Sequence, residues 1–383
     1  MHLQLARSIL PVLMTATHQE LAGLAADTKK ATTDCKEFSK DELGRAVASL
    51  VAASGSDDAA DWSGRLTNLL ASSAHRPHKQ WETTEAAAVE LQAVLSDPSS
   101  ESFRQMFQRV LEDGNWDAAV AAAECRPAES KPWVVLVTGV NGIRKTSSAY
   151  QPWFKQALAA ALGPSFAGAA TELPDGNDSF FRQLDYMIAT VALEDFRSLY
   201  EVTDIALYAA IKDSIFARYR TYAEMLGALL VRSARQKGLN VMVETSGRDI
   251  AMFRYIDHFF PEEQYRKMVV HFTVNDIAFA ERSVDSRMLK EMSDGADALL
   301  SDSALRLIKA NAGGPYGSAV LRGVQADSDA VWETVRKGGD AGATWYKASI
   351  EITAHEGDKP WTARAVNAAG EPGETYAFGA PRA

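Results

Sequence analysis

The fold of this 383-residue chain is decided by the stretch Trp133-Val134-Val135-Leu136-Val137-Thr138-Gly139-Val140-Asn141-Gly142-Ile143-Arg144-Lys145-Thr146-Ser147. Its first five residues are an apolar run of β-forming residues, long enough for a buried strand and too short for a core helix. Two glycines then allow a tight turn, and we expect a helix from about Thr146 to Leu162. A strand, a glycine loop and a helix in this order favour an α/β protein.

The loop has the composition of a phosphate site. Against the pattern G-x-x-x-x-G-K-[ST], Gly139, Lys145 and Thr146 match, whereas Arg144 stands where the last glycine belongs. Main-chain N–H groups of such a loop point at phosphates, the lysine reaches the β- and γ-phosphates, and the hydroxyl ligates Mg²⁺. The alternative is a glycine turn with an incidental Lys-Thr pair. We predict that ATP and Mg²⁺ are bound here, with Lys145 catalytic, Thr146 the metal ligand, and the nucleotide contacted by Gly139, Asn141, Gly142, Arg144, Lys145, Thr146 and Ser147.

Further strands follow along the chain. Leu239–Val243 and Lys267–Phe272 are short buried runs, each preceded by a helical pattern, and a helix is expected from about Asp276 to Met292. Alternating strands and helices predict a parallel sheet with helices on both faces. Trp345–Thr353 alternates apolar and polar residues, which indicates a late strand that forms a hairpin with the region around Thr362–Val366.

The front of the chain has a different character. Residues 1 to about 125 carry apolar residues at helical spacing, with breaks at turn-forming residues and no alternation typical of strands. A polar connection with two prolines, Cys125–Pro132, separates this part from the first strand. We therefore predict an all-α accessory domain over 1–130, a P-loop kinase-like α/β domain over 131–340 and a β-rich extension over 341–383.

Composition excludes several classes of function. The net charge of −10 and the pI of about 5.3 argue against a surface for nucleic acid. The two cysteines, Cys35 and Cys125, have no metal-ligand spacing and do not suggest a disulfide scaffold. The apolar runs fall short of the roughly 20 residues that span a bilayer. We expect a cytoplasmic protein that does not bind membranes.

Three other places put polar groups where a parallel sheet keeps its site. Asp178, in a loop read as opening a helix, could accept the proton of a substrate hydroxyl; its structural alternative is a helix cap with Ser179. Glu244, Ser246 and Arg248 follow a strand directly and are predicted to bind substrate. Arg282, on the helix after the third strand, is predicted to stabilise the phosphoryl group during transfer, ahead of Arg287 on the same helix.

These residues resemble a known family, the zeta toxins, which are P-loop kinases that phosphorylate UDP-N-acetylglucosamine. The resemblance runs from about Trp133 to about Gly338 and rests on four stretches. The stretches are Thr138–Ser147, the family's glycine loop; Asn177-Asp178-Ser179-Phe180, similar to Asn-Asp-Thr-Phe; Val243-Glu244-Thr245-Ser246-Gly247-Arg248, similar to Ile-Glu-Gly-Thr-Gly-Arg; and Ala280-Glu281-Arg282, similar to Ile-Glu-Arg.

The resemblance implies a role for each matched residue. Lys145 and Thr146 would hold the phosphates and Mg²⁺, Asp178 would be the general base, Glu244 would contact the sugar and Arg282 would stabilise the transferring group. A second such arginine of the family has two weak counterparts here, Arg306 and Lys309. Three features depart from the pattern: Arg144 in the loop, the missing second arginine, and the lack of an apolar run before Asp178.

Several alternatives stay open. The acceptor is a small molecule, either a nucleotide sugar such as UDP-N-acetylglucosamine or another compound such as an antibiotic or a nucleoside. A GTPase is disfavoured because the sequence has no Asn-Lys-x-Asp motif. From a different class, Arg144 motivates a nucleotide-binding switch or a catalytically silent scaffold. The helical front could serve oligomerisation, dock a protein partner or cover the ATP cleft.

Overall fold

The structure is a computed structural model. It describes residues 18–55, 60–200, 202–311, 313–339, 341–355, 359–367 and 369–378. Two compact units account for these residues, and each is built from three segments of chain. The helical unit comprises Met1–Val110, Gln183–Leu230 and Ser286–Gly317, and the sheet unit comprises Leu111–Arg182, Val231–Asp285 and Ser318–Ala383.

One seven-stranded sheet organises the second unit. Its strands are β1 (Trp133–Thr138), β2 (Ser179–Phe181), β3 (Asn240–Glu244), β4 (Arg266–Val274), β5 (Tyr346–Thr353), β6 (Trp361–Val366) and β7 (Pro372–Phe378). The order across the sheet is β2-β3-β1-β4-β5-β6-β7. The first five strands pair in parallel, and β6 and β7 are added antiparallel at one edge.

Strand β1 lies between β3 and β4, with Val137 opposite both Glu244 and Val270. The chain leaves β1 toward the β2–β3 side and later returns to β4 on the other side. A parallel sheet binds ligands at such a point, outside the carboxyl ends of its strands. The glycine loop that follows Thr138 occupies this position.

Helices account for most of the remaining described chain. In chain order they are α1 (His18–Thr33), α2 (Lys40–Ser54), α3 (Ala60–Ser73), α4 (Trp81–Leu95), α5 (Glu101–Met106), α6 (Gln108–Asp113), α7 (Trp116–Glu124), α8 (Lys145–Ala149), α9 (Phe154–Leu162), α10 (Leu184–Val191), α11 (Leu193–Leu199), α12 (Ile205–Gln236), α13 (Ala251–Phe259), α14 (Ile277–Leu300), α15 (Ala304–Ala310) and α16 (Leu321–Arg336). As far as residues 18–124 are described, they form helices and connections without strands, as predicted. No helix within the described ranges has the length and apolar character needed to cross a membrane.

Both faces of the sheet are covered. Trp133, Val135 and Val137 on one face of β1 pack into a core that includes residues of α9 and β6. The alternate residues Val134 and Leu136 point to the opposite face and are also fully buried. A strand buried on both faces is typical of the parallel centre of an α/β sheet, and the predicted fold class is confirmed.

Several predicted strands and helices differ in part from those of the structure. The hairpin of β5 with β6 is confirmed, with Ile352 opposite Ala363, but β5 also pairs in parallel with β4, so the late strands extend the main sheet. The single helix expected from Thr146 to Leu162 is two helices, α8 and α9, because Pro152 stands between them and cannot continue the hydrogen-bond ladder. The helix expected after Asp178 is instead the short strand β2. The domain boundaries at 130 and 340 stay predictions. The two compact units are each made of three separate segments of the chain and do not correspond to continuous domains.

The helical unit contains a buried ion pair. Lys212 Nζ on α12 lies 2.6 Å from Glu291 Oε2 on α14, and both side chains are almost fully buried. The hydroxyl of Tyr208 donates to the same carboxylate oxygen at 3.2 Å. Burial lowers the pKa of Lys212, while the neighbouring carboxylate opposes that shift. The pair ties α12 to α14 within this unit.

Candidate functional site

The glycines of the loop are fixed by close packing. Gly139 has φ of 124° and Gly142 has φ of 87°, values that L side chains rarely adopt. A Cβ atom on Gly139 would clash with the carbonyl oxygen of Phe272, near the end of β4. A Cβ atom on Gly142 would lie 2.9 Å from the carbonyl oxygen of Ala280, on α14. The loop therefore lies directly against β4 and the first turns of α14.

Lys145 folds back onto the loop that precedes it. Its ammonium group donates to the carbonyl oxygens of Gly139 and Val140, both at 2.9 Å, and the residue is only 8% exposed. Thr146 and Ser147 are exposed. A buried cation thus stands beside the loop and two hydroxyl-bearing residues face solvent, which is the set of groups expected at a site for phosphate and Mg²⁺.

Arg144 stands where the pattern has glycine and adopts a backbone conformation that favours glycine. Its φ of 66° and ψ of 31° lie in the left-handed region. For a residue with a Cβ atom this conformation costs on the order of 1–2 kcal/mol. Its guanidinium carbon lies 5.5 Å from the ring centroid of Trp361, the first residue of β6. Burial lowers the pKa of Arg144.

The segment after β3 is joined to the loop. The main-chain N–H of Gly139 donates to the carbonyl oxygen of Ser246 at 3.3 Å, and that of Thr245 donates to Val137 at 3.0 Å. Gly247 has φ of 74°, and a Cβ atom there would lie 2.7 Å from Cβ of Thr138. Glu244 is half-buried and Arg248 is exposed. The structure brings Glu244, Ser246 and Arg248 to the carboxyl end of the parallel strands, where the glycine loop lies.

Two residues near this end of the strands were not predicted from the sequence. Burial raises the pKa of Tyr150 to about 12, and the negative charges of Glu244, Asp113 and Asp175 add to the shift. Arg182 follows β2 and is 7% exposed, with its guanidinium carbon 4.9 Å from the ring centroid of Tyr255. A tyrosine shortly after a phosphate loop and an arginine ending a strand are weak signals by themselves, because their proximity to the site depends on strand order.

A hydroxyl–imidazole–carboxylate series lies beneath the loop. Oγ1 of Thr138, the last residue of β1, is 3.0 Å from Nδ1 of His271 on β4. Nε2 of His271 is 3.3 Å from Oδ1 of Asp329 on α16, and the imidazole stacks on Trp332 at 5.0 Å. His271 is almost fully buried. The series ties the residue before Gly139 to β4 and α16.

Asp178 lies at the amino-terminal end of the parallel strands, opposite the end that carries the glycine loop. It precedes β2, and Ser179 pairs with Asn240, the first residue of β3. Its carboxylate accepts hydrogen bonds from Asn240 Nδ2 at 3.1 Å and from Lys155 Nζ at 2.9 Å. Asn240 and Glu244 are the two ends of β3, about 13 Å apart. The expectation that Asp178 follows a strand on the loop side is wrong, and the structure does not bring it together with Lys145.

The basic residues of the region after β4 are divided between the units. Arg282 belongs to the sheet unit, is 56% exposed at its side chain and lies 3.8 Å from Asp276. Arg287, Arg306 and Lys309 belong to the helical unit. Nε of Arg287 lies 3.5 Å from Glu291, and its Nη2 donates to the carbonyl oxygen of Gly314. Their roles in transfer stay predictions.

No protein-family model matches the chain, and no curated protein matches it. Among solved structures, a chain from the PezAT chromosomal toxin–antitoxin system of Streptococcus pneumoniae is similar at 8% sequence identity and a TM-score of 0.32, over 71% of this chain and 81% of that chain. A likeness at this level does not bear on activity. The resemblance to the zeta toxins therefore rests on the sequence motifs.

Proposed function

We infer that this protein is an ATP-dependent kinase of a small molecule. The observation that carries the inference is the position of the glycine loop: it follows the central parallel strand, holds buried Lys145, and is hydrogen-bonded to the segment that contains Glu244 and Ser246. A phosphate site and a set of polar groups for an acceptor are thereby adjacent within one unit.

The residues present fit a bound nucleotide with Mg²⁺. Gly139 and Gly142 leave no room for side chains, so the main chain itself lines the loop. Lys145 would contact the phosphates, and the exposed hydroxyl of Thr146 would be the protein's ligand to Mg²⁺. When bound, Mg²⁺ neutralises phosphate charge and so favours transfer.

Transfer requires an acceptor hydroxyl in line with the γ-phosphate. In our proposal Glu244 orients this hydroxyl and takes its proton, because Glu244 ends the strand that pairs with β1 beside the loop. The acceptor oxygen then forms a bond to the γ-phosphorus as the bond to the bridging oxygen breaks and ADP leaves. Lys145 and Arg282 would offset the charge that develops on the phosphoryl oxygens.

The acceptor is proposed from the sequence motifs. Ser246 and Arg248 stand beside Glu244 and offer a hydroxyl and a cation to a polar, negatively charged compound. A nucleotide sugar has both hydroxyls and phosphates, and UDP-N-acetylglucosamine is the first compound to test. We also propose that the helical front binds a protein partner and that the protein is cytoplasmic.

ADP release tests the proposal. Intact protein is incubated with ATP and Mg²⁺ and a panel of nucleotide sugars, nucleosides and aminoglycosides, and ADP and the phosphorylated product are measured. We expect release that depends on one acceptor, is lost in Lys145→Ala and persists in Lys131→Ala. Lys131 is a matched control because it is exposed and stands before β1, at the opposite end of the same strand. Release that survives Lys145→Ala would contradict the proposal.

A second candidate is a protein that binds ATP without transferring phosphate. The distance of Asp178 from the loop favours it, because the carboxylate matched to the family's base is held by Asn240 and Lys155 instead. Tight MgATP binding with no product from any acceptor in the panel would support this candidate over the kinase.

A further inference from the structure

An aromatic pair connects two of the arginines in the sheet unit. The rings of Trp361 on β6 and Phe279 on α14 are 4.6 Å apart and nearly perpendicular, at 83°. The guanidinium carbon of Arg144 lies 5.5 Å from the Trp361 ring, and that of Arg282 lies 5.6 Å from the Phe279 ring. Arg144 belongs to the glycine loop and Arg282 to the helix against which Gly142 packs.

The indole of Trp361 is firmly held. Trp361 is 1% exposed, and besides Phe279 it contacts Phe378 on β7 at 6.2 Å. Attraction between a cation and an aromatic ring is strongest where water is excluded and tryptophan is the ring. The Trp361 ring is therefore a fixed surface against which the Arg144 side chain lies.

The Arg144 side chain occupies a position of the loop where the pattern has none. In the pattern, a glycine precedes the lysine and leaves no side chain near the phosphates. This chain has a long cation at that position, in a left-handed conformation with φ of 66°. A side chain of that size needs a defined resting place if the loop is to admit a nucleotide.

We propose that Trp361 is a positioning residue of the phosphate loop: its indole holds the Arg144 guanidinium so that the loop tolerates an arginine where the pattern has glycine. Strand β6, which lies outside the resemblance to the zeta toxins, then supports the nucleotide site through Trp361. This inference rests on the proposed function, because it requires that the loop binds ATP.

A double-mutant cycle tests it. MgATP affinity is measured by calorimetry for wild type, Trp361→Leu, Arg144→Gly and the double variant. We expect Trp361→Leu to weaken MgATP binding about tenfold in the presence of Arg144. In the Arg144→Gly background, where no side chain needs to be held, the same substitution should leave the affinity unchanged.

Two controls separate positioning from stability. Tyr376→Leu removes a ring of β7 that stacks on Trp153 at 5.6 Å, and we expect it to lower the melting temperature and leave the MgATP affinity unchanged. Trp361→Phe keeps a smaller ring, so it should retain most of the affinity that Trp361→Leu loses. If Trp361→Leu folds poorly, Trp361→Met, which also has no ring, takes its place in the cycle.

The outcomes are distinct. An equal loss of affinity in both backgrounds, or no loss in Trp361→Leu, overturns this inference and leaves the proposed function standing. Absence of MgATP binding by the wild-type chain overturns the proposed function and this inference with it.

Discussion

The side-chain amide of Asn240 donates a hydrogen bond of 3.1 Å to the carboxylate of Asp178. Asn240 also accepts from the main-chain N–H of Trp133 at 2.9 Å, so the same side chain joins the starts of β1, β2 and β3. With Lys155 on the other carboxylate oxygen, Asp178 has the contacts of a residue that fastens the sheet at its amino edge.

This arrangement predicts a stability phenotype for Asp178→Asn. Because the substitution removes a charge that pairs with Lys155 and replaces one of the two acceptor oxygens of Asp178, we expect the free energy of unfolding to fall by about 1–3 kcal/mol. MgATP affinity should be unchanged. Urea denaturation and calorimetry measure the two quantities. A variant that unfolds like wild type but no longer transfers phosphate would restore Asp178 as the base.

Gly142→Ala should disable the loop. The added methyl group would lie 2.9 Å from the carbonyl oxygen of Ala280, and the residue would keep a φ of 87° that alanine disfavours. We expect MgATP binding to be lost, measured by calorimetry at a temperature where the chain is folded.

Gly323→Ala is the matched control for that substitution. Gly323 lies on α16, and a Cβ atom there meets nothing within 4 Å. Because alanine favours helices, the control should gain up to about 1 kcal/mol of stability and bind MgATP like wild type. Equal behaviour of the two alanine variants would show that the loop does not need the close approach of Gly142 to α14.

Glu244→Gln separates binding from transfer. The amide keeps the shape of the side chain but cannot take a proton, so we expect the rate of transfer to fall by about 10²–10⁴-fold with the MgATP affinity unchanged. Steady-state kinetics and calorimetry provide the comparison. If the rate is unaffected, the proton acceptor is another group.

The helical unit offers a pH prediction. Burial raises the pKa of Glu42, but hydrogen bonds from Arg218 and Ser39 lower it more, so its pKa lies below the ordinary 4.5. A carboxylate with a lowered pKa in the folded state stabilises the fold above its unfolded pKa, and this contribution is lost as pH falls through the folded pKa. The free energy of unfolding of wild type should therefore exceed that of Glu42→Gln at pH 7, and the difference should disappear as pH falls below about 4.5. Denaturation measured across pH 7 to 3 gives this difference. A difference that does not change with pH would contradict this assignment.

The sequence predicted correctly those strands whose own residues form a recognisable apolar run. The strands β1, β3 and β4 were predicted because each contains a short, predominantly apolar run, at Trp133–Val137, Leu239–Val243 and Lys267–Phe272. The interruption of the helix at Pro152 follows from a rule that was available, since proline disfavours a helical conformation at the preceding residue. Strand β2 was missed because it has three residues and lies between polar segments.

The missing parts of the site depend on tertiary structure. The side of the sheet on which Asp178 lies is decided by whether a strand precedes or follows it, and β2 carries too little hydrophobic pattern to show this. The contact of Arg144 with Trp361 joins residues far apart in sequence through the order of β1, β4, β5 and β6. Local patterns indicate such elements but not which of them are neighbours.

The most direct test of the account is a calorimetric titration of the intact chain with MgATP, repeated on Lys145→Ala. We predict saturable binding of about one nucleotide per chain and a loss of about 100-fold or more in affinity for the variant, because alanine lacks the buried ammonium group proposed to contact the phosphates. No heat of binding from the wild-type chain, or equal affinity in Lys145→Ala, would contradict the claim that the loop after β1 binds a nucleotide.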